Sequence, residues 1–297
     1  MKIFSYAPFL LSSALVAATA GAKPFGTLLL PARAQGKPNI ISTQATSALT
    51  VRGGDLGPLT ADTAAKALVG YSLLNGWTIW QATEGTLKLW GINEVTEKQK
   101  LLFEAMGANM FFVAIAGVAL LKGQSLSTAL SISTLLSGGL NVSWLIDDVP
   151  GKTGLPKEAV MINAALSFAV AYANLLNQDW ASAANKLWAA YYVVHAASGV
   201  LTGKFKEMWS FGGEGAVAEL GADNLIWSSV SGATFACYAA FSEEPALKVI
   251  AYSHIPWALL SCYNALISES AKEIVKSDAT RYVFGAFLVV MLAAILL

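Results

Sequence analysis

The chain has almost none of the side chains from which metal centres, disulfide frameworks and acid–base sites are assembled. Two cysteines and two histidines occur in 297 residues, with no Cys-x-x-Cys or His-x-x-x-His spacing, so the usual zinc signatures are missing. Charged residues make up 13% of the chain, against about 25% in a soluble domain. That is too little to cover a water-solvated surface of normal size. The formal net charge is zero, which removes the electrostatic argument for a nucleic-acid partner. No nucleotide loop, nucleophile elbow or other catalytic motif stands out, and no catalytic or metal-binding residue is expected. One further lack is local: Met1 to Gly54 contains no acidic residue.

What fills the chain is apolar. Hydrophobic residues make up 55% of it and the mean hydropathy is +0.55. Eight apolar segments, roughly 62–87, 101–121, 125–146, 158–178, 184–203, 216–241, 246–267 and 279–297, are separated by short charged hinges. A bilayer span needs about 20 apolar residues at 1.5 Å of rise each. Residues 125–146, 187–203 and 249–267 carry no Asp, Glu, Lys or Arg at all. The fold class expected is all-α: a polytopic membrane protein with eight transmembrane helices. Cys237 and Cys262 fall inside the expected spans, where cysteine is usually a small apolar packing residue.

The acid-free stretch reads as a leader outside the fold. Lys2 and the apolar run Ala7–Ala20 resemble a secretory signal peptide. Lys23 to Thr50 is basic and rich in Ser, Thr, Ala and Gly, the composition of a transit peptide. The two together resemble the bipartite presequences of algae with complex plastids, which implies a complex-plastid membrane. A plain secretory signal followed by a luminal tail is the other reading, and implies the endoplasmic reticulum or plasma membrane. The domains expected are then 1–54 as leader, 55–178 as a first membrane unit and 179–297 as a second.

Charge counts orient the spans. Beyond the leader, ten basic residues (Lys88, Lys98, Lys100, Lys152, Lys157, Lys204, Lys206, Lys272, Lys276 and Arg281) flank loops after odd-numbered spans. Lys66, Lys122, Lys186 and Lys248 lie on the other side. Positive charge resists translocation, so both mature termini are expected on the translocated face. Trp90, Trp144 and Trp209 would mark the basic interface, and Trp180 and Trp188 the opposite one.

Short motifs recur in the two halves. Gln81 in span 1 matches His195 in span 5. Met106-Gly107-Ala108-Asn109 in span 2 matches Leu220-Gly221-Ala222-Asp223-Asn224 in span 6. Asn141 near the end of span 3 matches Asn264 in span 7. Four spans per copy is even, so two copies would share orientation, as two parallel four-helix repeats. Each unit resembles the small four-helix membrane families of the DoxX-like kind, with a Gly/Trp hinge after the first helix and Gly-Ala opening the second. The resemblance implies architecture and no particular mechanism. Gly138-Gly139 in mid-span 3 would pack against a neighbour or unwind the helix, as in transporter binding sites.

Ionisable groups within apolar spans are costly and mark sites to consider. They are Glu84, Glu104, Glu219, Asp223, His195 and His254. Glu104 is expected to pair with Lys100, and Glu84 with Lys88, at i,i+4 spacing. Glu219 and Asp223 share a face of span 6 without a local base, so they are candidates for an ion or substrate pathway together with His195 and His254. The histidines could equally serve as structural hydrogen-bonding residues, or as paired axial ligands of a haem. Pro256 would release a backbone carbonyl near His254. The functions in play are a non-catalytic membrane subunit or a small-solute or ion transporter of an organellar membrane. The alternative is an intramembrane haem-binding oxidoreductase, or another membrane enzyme, using His195 and His254. Partners are the lipid bilayer and other membrane subunits, with no nucleic acid.

Overall fold

The computed structural model describes residues 59–202, 215–275 and 278–297. The leader expected over 1–54 lies outside them, as do Lys204, Lys206, Trp209 and Lys276. Among the described residues the regular elements are all helices: α1 (Ala61–Gln81), α2 (Thr83–Leu89), α3 (Glu97–Leu121), α4 (Leu126–Ile146), α5 (Val149–Thr153), α6 (Lys157–Leu175), α7 (Ala181–Thr202), α8 (Ala216–Phe241), α9 (Ala246–Leu266), α10 (Glu269–Ile274) and α11 (Asp278–Leu296). Eight of them are long, and they occupy the eight apolar segments.

Local chemistry sets the starts. The Thr60 and Ser125 hydroxyls accept the free amides of Thr63 and Thr128 at the heads of α1 and α4, orphan donors that every helix start must satisfy. Thr96 and Gln99 form a reciprocal capping box on α3. Pro156 and Pro245 immediately precede α6 and α9, where a missing N–H costs nothing.

Three helices, α3, α4 and α6, are long and apolar enough to cross a membrane, and residues 281–296 of α11 form a shorter apolar stretch. The other long helices fall short of that hydropathy because polar residues dilute them: α1 carries Asp62, Lys66, Asn75 and Gln81, and α9 carries Lys248, His254 and Asn264.

One expectation about helix continuity changes, and another, packing at Gly138-Gly139, holds. The first segment is not one helix to residue 87: it breaks at Ala82. At the break Thr83 Oγ1 donates to the Ile79 carbonyl at 2.6 Å and Thr86 Oγ1 to that of Thr78 at 3.1 Å, a carbonyl that also accepts the Ala82 amide at 2.9 Å. Conversely, α4 runs unbroken through Gly138-Gly139. A Cβ on Gly138 would meet the Phe168 ring at 3.0 Å, which makes this glycine a packing position against α6.

The core follows α3, where 17 of 25 residues are buried. α3 packs on α1, α4, α8 and α9, while α8 packs on α7, α9, α3 and α4. α4 pairs with α6, α9 pairs with α11, α6 meets α7, and α11 returns to α1. The long helices therefore close a ring, pinched at the middle where α3 touches α8. At the α1–α3 crossing the backbones are in contact: a Cβ on Gly76 would lie 2.5 Å from the Phe111 nitrogen, and one on Gly107 2.6 Å from the Trp80 nitrogen. The outer helices carry apolar side chains outward, among them Met161, Ile162, Leu187 and Val194.

Candidate functional site

Two of the cavities inside the ring lie on opposite sides of the α3–α8 contact. The smaller, about 60 Å³, is walled by α3, α4, α6, α7 and α8. Its polar lining comes from amides, hydroxyls and one imidazole: Asn109, Asn141, Asn163, Tyr191, Tyr192 and His195, with Ser137 and Ser229. Among the described residues no Asp, Glu, Lys or Arg lines it. Much of this polarity is internally satisfied. Asn109 Nδ2 donates across the α3–α8 contact to Ser228 Oγ at 3.3 Å, Asn141 Nδ2 donates to the Ser137 carbonyl at 2.8 Å, and Ser167 bridges Ser137 and Asn163. His195 stacks on Tyr191, with centroids 5.9 Å apart. Close by, Asn174 and Asn185 exchange two amide hydrogen bonds, of 2.6 and 3.1 Å, and tie α6 to α7.

The larger cavity, about 150 Å³, is walled by α1, α3, α8, α9 and α11. It is more apolar, with Met106, Met110, Leu260 and Phe284 in its wall. Asn75, Asn224, Trp257, Asn264 and Arg281 supply its polar atoms.

The pathway candidates are Glu219, Asp223, His195 and His254. His195 lines the smaller cavity, and none of the other three does. Glu219 is exposed near the start of α8 and accepts the Ser270 hydroxyl of α10 at 2.5 Å. Asp223, one turn further on, is half-buried. His254 is 1% exposed, and its Nδ1 lies 2.7 Å from the Ile250 carbonyl oxygen. A carbonyl only accepts, so Nδ1 holds the proton and Nε2 is a bare acceptor; Nε2 has no partner among the described residues. α8 stands between α7 and α9, the helices that carry the two histidines. α9 continues through Pro256.

The ion pairs differ from the i,i+4 expectation. Lys100 reaches Glu84 on α2 at 2.8 Å, not Glu104 on its own helix, because the break at Ala82 swings α2 over the start of α3. Trp188 is not a belt residue: it is 4% exposed and packs on Tyr191 and Tyr192. Cys237 and Cys262 are free thiols. No group of three or more His, Cys, Asp or Glu side chains among the described residues is placed to hold a metal.

Six uncharged amides, three in each cavity, stand among the lining residues, and a search for ionisable groups passes over them. The available signal was the placement of Asn75, Asn109, Asn141, Asn224 and Asn264 within apolar segments, where an amide needs a partner as much as a charge does.

A helical architecture with three helices able to cross a membrane points to a helical membrane protein. No family model, curated protein or solved structure matches the chain.

Proposed function

We propose that this protein is an eight-span membrane protein of two parallel four-helix units, and that it passes a small uncharged polar solute through the smaller cavity. The carrying observation is the polar part of that cavity's lining: amides, hydroxyls and an imidazole from five helices, with no Asp, Glu, Lys or Arg among the described residues. Such a wall can replace the hydration of a neutral solute by hydrogen bonds but offers no counter-charge to an ion. At about 10–15 Å³ per water, the space takes a handful of waters, or one solute the size of urea or glycerol. His195 is the one pathway candidate that faces it, and Glu219 and Asp223 sit near the start of α8, away from its lining.

Duplication is supported by constant offsets. α1, α3, α4 and α6 begin at 61, 97, 126 and 157, and α7, α8, α9 and α11 begin at 181, 216, 246 and 278, shifts of 119 to 121 residues. The cavity walls repeat the shift. Ser137, Leu140, Asn141 and Trp144 line one, and Trp257, Leu260, Ser261 and Asn264, each 120 residues on, line the other. Tyr191 and His195 likewise correspond to Tyr71 and Asn75. Asn109 and Ser228 correspond at 119 and bond to each other, so a two-fold axis along the membrane normal would pass between them. This register differs from the short motif matches, which pair His195 with Gln81 and Asn141 with Asn264.

The test is solute flux into proteoliposomes followed by light scattering, with urea and glycerol as probes. Permeability above protein-free vesicles is expected, reduced severalfold by Asn109→Leu. Flux equal to empty vesicles would sink the reading. The second reading, a non-catalytic membrane subunit, draws on the outward apolar side chains of α6 and α7. It predicts a stable larger complex in mild detergent and no flux. For location we keep the complex-plastid membrane, on the composition of residues 1–54.

A further inference from the structure

A third cavity, of about 20 Å³, adjoins the smaller cavity of the pair. Asn109, Phe112, Ser137 and Tyr192 line both, so the two meet at these side chains. They are stacked along the helices. From the smaller cavity to the third, the lining climbs from 101–112 to 109–113 on α3 and from 225–229 to 232–235 on α8. It descends from 137–144 to 130–137 on α4 and from 191–195 to 188–192 on α7. Helices that alternate in direction number in opposite senses along one line, and these four do. The line leads away from the loop bearing Lys152, whose Leu155 lines the smaller cavity. On α4 it runs from Trp144 to Leu130, about 21 Å at 1.5 Å per residue. That is roughly two-thirds of a hydrocarbon core of about 30 Å.

One side chain governs the junction. Asn109 donates to Ser228, Ser137 receives the Ser167 hydroxyl, and Phe112 is 3% exposed with its ring 5.5 Å from that of Trp80. Tyr192, the largest of the four, reaches from α7 to the α8 backbone: a Cβ on Gly232 would lie 2.8 Å from its Cε1. Its ring centroid is 4.8 Å from that of Trp188. A ring braced on a tryptophan and seated against a glycine closes the gap between α7 and α8 where the cavities meet. Beyond it the wall holds Val113, Leu130 and Phe235 beside the Ser133 hydroxyl. At about 10–15 Å³ per water, the third cavity takes one or two waters. A solute the size of urea therefore crosses only as the ring yields.

We propose that the third cavity carries the solute pathway on toward the face opposite the Lys152 loop, and that the Tyr192 ring is its size-selecting constriction. This rests on the reading of the smaller cavity as a solute pathway. Solutes are graded by how far the ring must shift, so urea crosses more readily than glycerol.

The experiment measures urea and glycerol flux into proteoliposomes for variants of the full chain. Tyr192→Ala should raise the glycerol-to-urea permeability ratio severalfold, whereas Tyr192→Phe keeps the ring and should leave the ratio at the parent's value. Tyr192→Leu retains bulk against Trp188 and should raise the ratio less; it serves if the alanine variant does not fold. A readout independent of flux is thiol labelling in mild detergent with methyl methanethiosulfonate, followed by mass spectrometry. Val113 is 6% exposed, and Val113→Cys, combined with Cys237→Ala and Cys262→Ala, puts a single thiol in the wall of the third cavity. Labelling there should be slow with Tyr192 in place and severalfold faster with Tyr192→Ala. Flux in the parent with an unchanged ratio in Tyr192→Ala and Tyr192→Leu would overturn Tyr192 as the selector and leave the pathway reading standing. No flux in any variant, with faster labelling in Tyr192→Ala, would overturn the pathway reading and uphold Tyr192 as the partition between the cavities. Labelling at one rate with and without the ring would overturn the partition itself.

Discussion

The sharpest test of the packing is a pair of glycine substitutions six residues apart on α1. A Cβ at Gly76 would lie 2.5 Å from the Phe111 nitrogen and 2.9 Å from the Gly107 carbonyl oxygen, whereas at Gly70 nothing lies within 4 Å. Favourable contacts of carbon begin near 3.5 Å, so Gly76→Ala must push the α1 and α3 backbones apart by roughly 1 Å. The obstacle is main chain and cannot rotate aside, which puts the cost at the upper end of overpacking, about 3 kcal/mol. Replacing glycine by alanine inside a helix gains about 1 kcal/mol at either site. Gly76→Ala should therefore lose about 2 kcal/mol, and Gly70→Ala should gain up to about 1 kcal/mol. At about 2–4 °C per kcal/mol, the first variant unfolds roughly 4–8 °C below the parent and the second at or above it. Thermal unfolding in mild detergent, followed by tryptophan fluorescence, reads both. If Gly76→Ala melts with the parent, or the two variants shift together, then α1 and α3 do not meet at these glycines.

The Asn174–Asn185 pair should show strong coupling. Either single change to leucine strands a buried amide and costs about 1–3 kcal/mol, while the double change costs less than the sum of the two; additive losses in the same melting assay would rule the pair out. Asn141 begins a formal glycosylation sequon, but it is 4% exposed and its amide donates to Ser137. No mass change at Asn141 is expected on glycosidase treatment, and a mapped glycan there would contradict both burial and orientation. The charge counts place loops bearing Lys98, Lys152 and Lys272 on the synthesis side, so protease-accessible tags in those loops of oriented vesicles should be cut from that side and from no other. Residues 1–54 fused to a fluorescent protein should reach a complex plastid; fluorescence confined to the endoplasmic reticulum or plasma membrane reduces the leader to a secretory signal.

The positions of the long helices were legible in the sequence, because they follow from local causes. Runs of apolar residues, the caps at Thr60, Thr96 and Ser125, and the prolines before α6 and α9 all act within a few residues of one another. The break at Ala82 is not registered by hydropathy, since threonine is tolerated on either side of a kink.

What faces what was decided only by the tertiary structure. A soluble helix advertises its inner face by putting apolar residues there and polar ones outside. Helices that are apolar on every side, such as α3 and α4, give no such sign, because lipid and protein interior are equally apolar solvents. Nothing in the sequence says that Gly76 meets Gly107, that Lys100 reaches Glu84 rather than Glu104, or that His195 enters a cavity with none of Glu219, Asp223 and His254. Similar short motifs, such as those around Gly107 and Gly221, stand at different places in the packing. Gly107 touches the α1 backbone, whereas Gly221 faces the side chains of Leu102 and Phe103. Sequence alone determined where the chain is helical and apolar; the ring of helices decided which uncharged amides share a cavity, because only close packing brings together groups separated by a hundred residues.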